Sequence, residues 1–474
     1  MNKKTKLSQL TIKEAKEGLR DKMFSSVELT QSCLEQIKKH NSSLNAFITI
    51  TEKEALESAA KADKLISEKS DLPLLGIPIA LKDLFSTKGI RTTAASNILK
   101  DYIPQYDATV VSKLKDAGVV IIGKTNLDAW AHGSSGENSD FGPTMNPWNI
   151  ERVPGGSSSG SAVSVASDMC LAATGTDTGG SIRLPASFNN VVGLKPTYGR
   201  VSRYGVIAMA SSVDSIGHFT KTVEDCATFF NVTKGKDTFD ATTLPDVKEN
   251  FDDALNKNVS GIKIGIPKEF VSTELEPEIK VKFEEAIKVF ENLGAEISEI
   301  SLPHTKYGIA AYYIIQPSEV SSNLGRYDGI RYGSARQNFG DEAKRRIMLG
   351  TFTLSSGYYD AYYKKAMKVR TLIKEDFDYA FEKIDAIISP VSPTFPWKLG
   401  EKTNDPLGMY LSDVLAVTVN IAGIPSLSVP AGFSKNNLPF GIQIMGKQLS
   451  ENMLFRIGNA FEKETNFYKQ KPNL

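Results

Sequence analysis

Residues 155–185 read GGSSSGSAVSVASDMCLAATGTDTGGSIRLP, two polar loops flanking one hydrophobic element. A flexible linker would explain the first loop by composition, but a linker does not run directly into a segment, Ala162 to Ala173, apolar enough to be buried. Loops at such junctions more often build a site. In the second loop, Gly179 and Gly180 leave backbone N–H groups unobstructed. Ser181 then opens a predicted helix, in which Pro185 is tolerated only near the first turn. Free N–H groups beside a helix start are what a developing oxyanion requires.

Outward from this stretch, strand-like apolar runs occur at Gly76 to Leu81, Val119 to Ile122, Ile262 to Ile266, Ala386 to Ile388, Ser426 to Val429 and Phe440 to Met445. Helical stretches lie between them. In the clearest, Glu276 to Leu293, the residues Ile279, Phe283, Ile287 and Phe290 recur at helical spacing before Gly294 stops it. A final amphipathic helix is expected at about 450–464. Thr11 with Glu14, Ser25 with Glu28 and Thr51 with Glu54 have capping-box spacing, so the first 65 or so residues read as mostly helical. The class is α/β. No internal repeat is visible, and a single domain over 1–474 is expected, with its core at about 70–225 and a polar surface excursion at about 235–260.

The chain has 56 Lys and Arg against 55 Asp and Glu, which argues against nucleic-acid binding mainly through its own basic surface. Cys33, Cys170 and Cys226 lack the number and spacing of a disulfide framework or a zinc site. No apolar run is long enough for a membrane span, and the basic N-terminus has no apolar core of a signal peptide. A reducing cytoplasm is the expected compartment, with no membrane and no metal.

Two motifs are decoys. Gly118 to Thr125, GVVIIGKT, satisfies the phosphate-loop pattern, yet Val119, Val120, Ile121 and Ile122 favour an extended buried strand over a loop that wraps phosphate. Gly156 to Gly160 matches the nucleophile-elbow pattern, but the preceding TMNPWNIERVP does not read as a strand, and His132 is the only histidine placed plausibly for a base. Lys82 is more informative. It follows GIPIAL, so its ammonium is drawn toward a dry interior that favours the neutral, basic amine.

With GIPIALKD, GGSSSGSA, TDTGGSIRLPA and GLKPTYGRVSRYGVIAMASSVDSIG in place, the chain resembles the amidase signature family. The resemblance implies a central mixed β-sheet covered by helices on both faces, and a Ser-Ser-Lys triad. Ser181 is then the nucleophile, Ser157, after a non-proline cis peptide, the bridging serine, and Lys82 the base. The N–H groups around Thr178, Gly179, Gly180 and Ser181 would form the oxyanion hole.

GSSGENSDFGPTMNPWN, KRRIMLGTFTLSSGYYDAYYKKAMKVRTLI and DPLGMYLSD narrow the resemblance to the glutaminase subunits of tRNA-dependent amidotransferases. It implies that Arg346 and Asp413 hold the α-carboxylate and α-amino group of glutamine, with Tyr312 or Tyr313 alongside. It also implies B and C partner subunits, ATP and magnesium in a partner rather than in this chain, and Glu-tRNA(Gln) reached through the complex. By residue type alone, Lys344 to Arg346 would be a solvated basic turn, Asp413 a helix cap and the tyrosines core. The chain departs from the family pattern at Ser159, at Asn189 and Asn190, and at Ala129, Trp130 and His132. A freestanding amidase is the alternative enzyme, and a catalytically dead interaction subunit the non-enzyme one.

Overall fold

The computed structural model describes residues 6–474 apart from 246, 248, 250, 273, 331 and 332. Its strands are β1 (Phe47–Ile50), β2 (Pro78–Lys82), β3 (Val120–Thr125), β4 (Ala172–Asp177), β5 (Val192–Lys195), β6 (Ser215–Thr220), β7 (Lys263–Pro267), β8 (Glu296–Ile300), β9 (Ala386–Pro390), β10 (Ser426–Phe433) and β11 (Pro439–Gly446). They form one sheet in the order β1-β3-β2-β4-β6-β5-β10-β11-β9-β7-β8. The sheet is mixed: β3, β2 and β4 run parallel to one another, as do β9, β7 and β8, and the pairs between these groups are antiparallel.

Every residue of β2, β3, β4, β5, β6, β9 and β11 is buried, whereas β1 and β8 at the two edges are partly exposed. A strand buried along its whole length has no solvent face, so helices cover both sides of the middle of the sheet. The helix Pro277–Asn292 buries Ile279, Phe283 and Phe290 in the core as its periodicity predicts, with Ala286 buried beside them and Ile287 only partly so. The C-terminal helix Glu451–Thr465 packs against β10 and β11.

The N-terminal region differs from the sequence expectation in one respect. Thr11 and Ser25 form their capping boxes with Glu14 and Glu28. Thr51 does not cap the helix Glu52–Ser67. Its N–H donates to the Ile122 carbonyl and its hydroxyl to the Ile121 carbonyl, because strand β1, which the helical reading passed over, pairs with β3 and draws Thr51 into its ladder. Within the polar stretch 235–260, Asp237 accepts from the hydroxyls of Ser202 and Thr109, and Asp240 pairs with Arg203. Residues 246, 248 and 250 of that stretch lie outside the described residues.

The parallel arrangement of β3, β2 and β4 positions the site. Their C-terminal ends lie at the same edge of the layer. That edge receives residues 126–132 after β3, Lys82 at the end of β2, and residues 177–181 at the end of β4.

Candidate active site

Lys82 is fully buried, and its Nζ sits among three hydroxyl oxygens: Ser158 at 2.8 Å, Thr176 at 2.8 Å and Ser157 at 2.9 Å. Burial lowers its pKa to about 7, against the opposing pull of the Asp128, Asp177 and Asp214 carboxylates. A displacement of that size corresponds to about 5 kcal/mol of discrimination against the ammonium form. The neutral amine has two N–H donors and one lone pair, so one of the three hydroxyls must donate to it. The Ser158 hydroxyl donates to the Thr176 carbonyl, which leaves Ser157 and Thr176 as the hydroxyls able to be that donor. Burial alone does not single out Lys82. Lys195 is also fully buried and also lowered to about 7, but its Nζ donates to the Pro196 carbonyl at 2.8 Å and to Ser215 Oγ at 3.4 Å rather than to a serine of the first loop.

The first loop enters through a cis peptide bond between Gly156 and Ser157. A Cβ at Gly156 would overlap the Asp128 carboxylate, so only glycine fits. Asp128 accepts from the Gly136 and Asn138 amides and donates its own N–H to the Ser157 carbonyl at 3.1 Å, tying the chain after β3 to the loop. Ser159 begins the buried helix Ser159–Ala166, and its hydroxyl donates to Thr144 Oγ1 at 3.1 Å, so the extra hydroxyl at this position is satisfied.

The second loop is organised by a residue that the sequence reading did not single out. Asp177 accepts from the amides of Gly180 (2.8 Å), Ile182 (3.1 Å) and Arg183 (3.3 Å) and forms a fully buried ion pair with the Arg183 guanidinium. Arg183 also reaches Gln443, Asn420 and the Ala416 carbonyl, and its charge and hydrogen bonds hold the Asp177 carboxyl far below the usual range despite burial. Of the four residues whose amides were expected to form an oxyanion hole, Gly180 donates its N–H to Asp177. The helix begins at Arg183, two residues beyond Ser181. The Ser158 amide donates to the Ser181 carbonyl at 3.2 Å, joining the two loops. Ser157 is wholly buried while Ser181 retains 8% exposure.

Tyr312 and Tyr313 divide their roles. A Cβ on Gly179 would lie 2.7 Å from the Tyr312 hydroxyl, so that phenol packs directly on the second loop. The Tyr313 hydroxyl donates to Asp413 at 3.3 Å, and Ser134 Oγ donates to the same carboxylate oxygen at 2.7 Å. Asp413 is buried near Gly180, and burial raises its pKa to about 7 against the pull of Ser134, Arg346 and Tyr313. Arg346 is buried, lies over the Tyr313 ring at 5.6 Å and pairs with Glu342 one turn earlier at 2.7 Å. Lys344 and Arg345 are about half exposed, as a solvated pair would be, whereas Arg346 is not, and all three lie in the helix Asp341–Leu354 rather than in a turn. Arg346, Glu342, Tyr410 and His132 border a cavity of about 390 Å³. The structure thus brings Lys82, Ser157, Ser181, Tyr312, Asp413 and Arg346 to one region, and adds Ser158, Thr176, Asp177, Arg183, Ser134 and Asp128. Asp177 and Arg183 were visible only as an acid and a base six residues apart in the second loop.

Lys124 of the phosphate-loop look-alike lies in β3, fully buried, with its Nζ 3.2 Å from Asp83 and bonded to the Phe85 carbonyl and Thr92. It belongs to the sheet interior rather than to a nucleotide loop.

A lysine whose ammonium gives up its proton readily among hydroxyls, beside a glycine-rich turn of amides, is suited to acyl transfer from an amide, and the chain's relatives agree with that chemistry. Residues 28–455 match the sequence model of the family described as Amidase, and the chain belongs to the amidase family. Along its length it is also similar to a narrower group: it is 50% identical to the A subunit of the glutamyl-tRNA(Gln) amidotransferase of Desulfatibacillum aliphaticivorans, over 99% of this chain and 100% of that one. The crystal structure of the corresponding glutamyl-tRNA(Gln) amidotransferase chain from Thermotoga maritima superposes with a TM-score of 0.83 at 44% identity, covering 98% of each chain. A bacterial aryl acylamidase of the amidase signature superposes with a TM-score of 0.88 at 27% identity, again over 98% of each chain.

Proposed function

We propose that this chain is the glutamine-hydrolysing subunit of a tRNA-dependent amidotransferase, supplying ammonia for the conversion of Glu-tRNA(Gln) to Gln-tRNA(Gln). Fold alone does not separate this reading from a freestanding amidase, since the aryl acylamidase superposes as well as the Thermotoga maritima amidotransferase chain does. The observation that carries the reading is the pair on either side of Tyr313: a buried guanidinium, Arg346, and a buried carboxylate, Asp413, beside the nucleophile loop. A simple amide has nothing to offer either charge, whereas an amino acid's carboxylate and ammonium complement both.

In this reading neutral Lys82 takes the proton of Ser157, which takes that of Ser181 as its Oγ attacks the side-chain amide carbon of glutamine. The amides of Thr178, Gly179 and Ser181 receive the oxyanion. The proton on Lys82 returns through Ser157 to the leaving nitrogen, ammonia departs, and water then releases glutamate from the Ser181 ester. The complex is cytoplasmic. A B subunit activates the mischarged tRNA with ATP and magnesium, and a C subunit joins the two.

Comparing glutamine with butyramide in the purified complex tests the reading. Glutamine should be favoured by at least about a hundredfold in kcat/KM, as expected when two charged contacts are lost. Equal turnover of the two would place the chain among freestanding amidases.

A further inference from the structure

His132 is wholly surrounded by protein, 1% exposed, and borders the 390 Å³ cavity together with Arg346. Neither Nδ1 nor Nε2 has a hydrogen-bond partner among the described residues. An unpaired buried polar atom gives up its hydration with nothing in return, and a single imidazole here carries two. The backbone leading to it is also unusual: Trp130 and Ala131 both adopt left-handed conformations, with φ of 61° and 64°. Such conformations persist in bulky residues only when the surroundings hold them. Here the Trp130 ring packs against Tyr327 and Phe339, and Gly133 leaves no room for a Cβ between Asp128 and Asn138. The turn is thus anchored on both sides, and it carries an imidazole with no partner to the cavity that Arg346 borders.

We propose that His132 is a substrate-binding residue, whose ring N–H donates to the α-carboxylate of glutamine beside the Arg346 guanidinium. The inference rests on the glutaminase reading above and assigns it a further contact. Burial and the Arg346 charge push the imidazole well below its ordinary pKa, so at neutral pH it is uncharged and offers one donor and one acceptor. A neutral donor adds a hydrogen bond to the carboxylate without placing a second cation against Arg346. Two donors of different shape, one a planar fork and one a single N–H, also fix the carboxylate's orientation more tightly than the fork alone.

The test uses the assembled complex and two substrates, glutamine and 4-aminobutanamide, which is glutamine without its α-carboxylate. His132→Phe keeps an aromatic ring and removes both nitrogens, and His132→Asn restores an N–H near the Nδ1 position. His132→Phe should raise KM for glutamine about tenfold, the size of one hydrogen bond to a charged group, with little change in kcat. Its activity on 4-aminobutanamide and its ammonium-dependent amidation should stay at wild-type levels, and His132→Asn should recover part of the glutamine affinity. An equal loss on both substrates, or an unchanged KM for glutamine, would overturn the proposal and leave the glutaminase reading standing. A wild-type enzyme that fails to prefer glutamine over 4-aminobutanamide would overturn that reading and this contact together.

Discussion

The Nζ of Lys82 lies 2.9 Å from Oγ of Ser157 in a wholly buried setting, with two further hydroxyls at 2.8 Å and, among the described residues, no carboxylate in hydrogen-bond contact. Hydroxyls solvate an amine without fixing its positive charge, so desolvation prevails over the more distant Asp128, Asp177 and Asp214. The base is therefore poised near pH 7. Glutamine hydrolysis should rise about tenfold per pH unit on the acid side and level off above about pH 7, as Lys82 loses its proton. Lys82→Arg stays charged throughout and should lose at least a hundredfold in kcat, with no plateau at high pH. Near-normal turnover by this variant would remove Lys82 from the mechanism.

Arg346 and Asp413 should act on binding rather than on acylation. Arg346→Lys keeps the charge but loses the two-pronged grip, and Asp413→Asn removes the counter-charge for the α-ammonium, so each should raise KM for glutamine about tenfold or more with a smaller change in kcat. Burial raises the Asp413 pKa to about 7, and the ionised form that pairs with an α-ammonium should therefore prevail only above that pH. KM should therefore fall as pH rises through 7 in the wild type and lose that dependence in Asp413→Asn. Steady-state kinetics from pH 6 to 8.5 separate the two contributions.

The Asp177–Arg183 pair should matter more for folding than for any chemical step. Arg183→Met leaves the Asp177 carboxylate buried beside three amides but without its counter-charge, and should cost about 3 to 5 kcal/mol. Calorimetry should show a lower melting temperature for Arg183→Met than for Asp177→Asn with Arg183→Met combined, because the double variant buries no unpaired charge. Both should be inactive, since the turn that presents Ser181 is built on this pair.

How much of this was legible in the sequence follows from the range of the interactions. The α/β class, six of the eleven strands and the clearest helices were readable, because apolar runs and helical periodicity are local signals, and the Gly and Ser clusters marked the two loops, while the roles given to Ser157 and Ser181 came from the family resemblance. Strand β1 and the uncapped Thr51 were not readable, because the partner that wins over the capping box is β3, some seventy residues away. By residue type alone Arg346 read as a surface charge, and only the family resemblance put it at the substrate, because burial of one member of a Lys-Arg-Arg run depends on which helix face meets Tyr313. The role of Asp177 was hidden for a similar reason: the Arg183 that pairs with it is held in turn by Asn420 and Gln443, and Asn420 also donates to Asp177, contacts that span more than 200 residues of chain. His132 carried only the signal of an unusual residue, and its two unpaired nitrogens are visible only in three dimensions.

Ser181 is assigned to ammonia release alone, and the most direct measurement is made on Ser181→Ala assembled with its B and C partners, Glu-tRNA(Gln), ATP and magnesium. The substitution removes one hydroxyl from a residue whose carbonyl, bonded to the Ser158 amide, stays in place, so assembly should survive and is checked by gel filtration. Formation of Gln-tRNA(Gln) is then measured with glutamine and, separately, with ammonium as nitrogen donor. Glutamine should support no product while ammonium supports product at the wild-type rate. Product formed from glutamine by the assembled variant would contradict Ser181 as the nucleophile, and loss of the ammonium-driven reaction would contradict its restriction to glutamine hydrolysis.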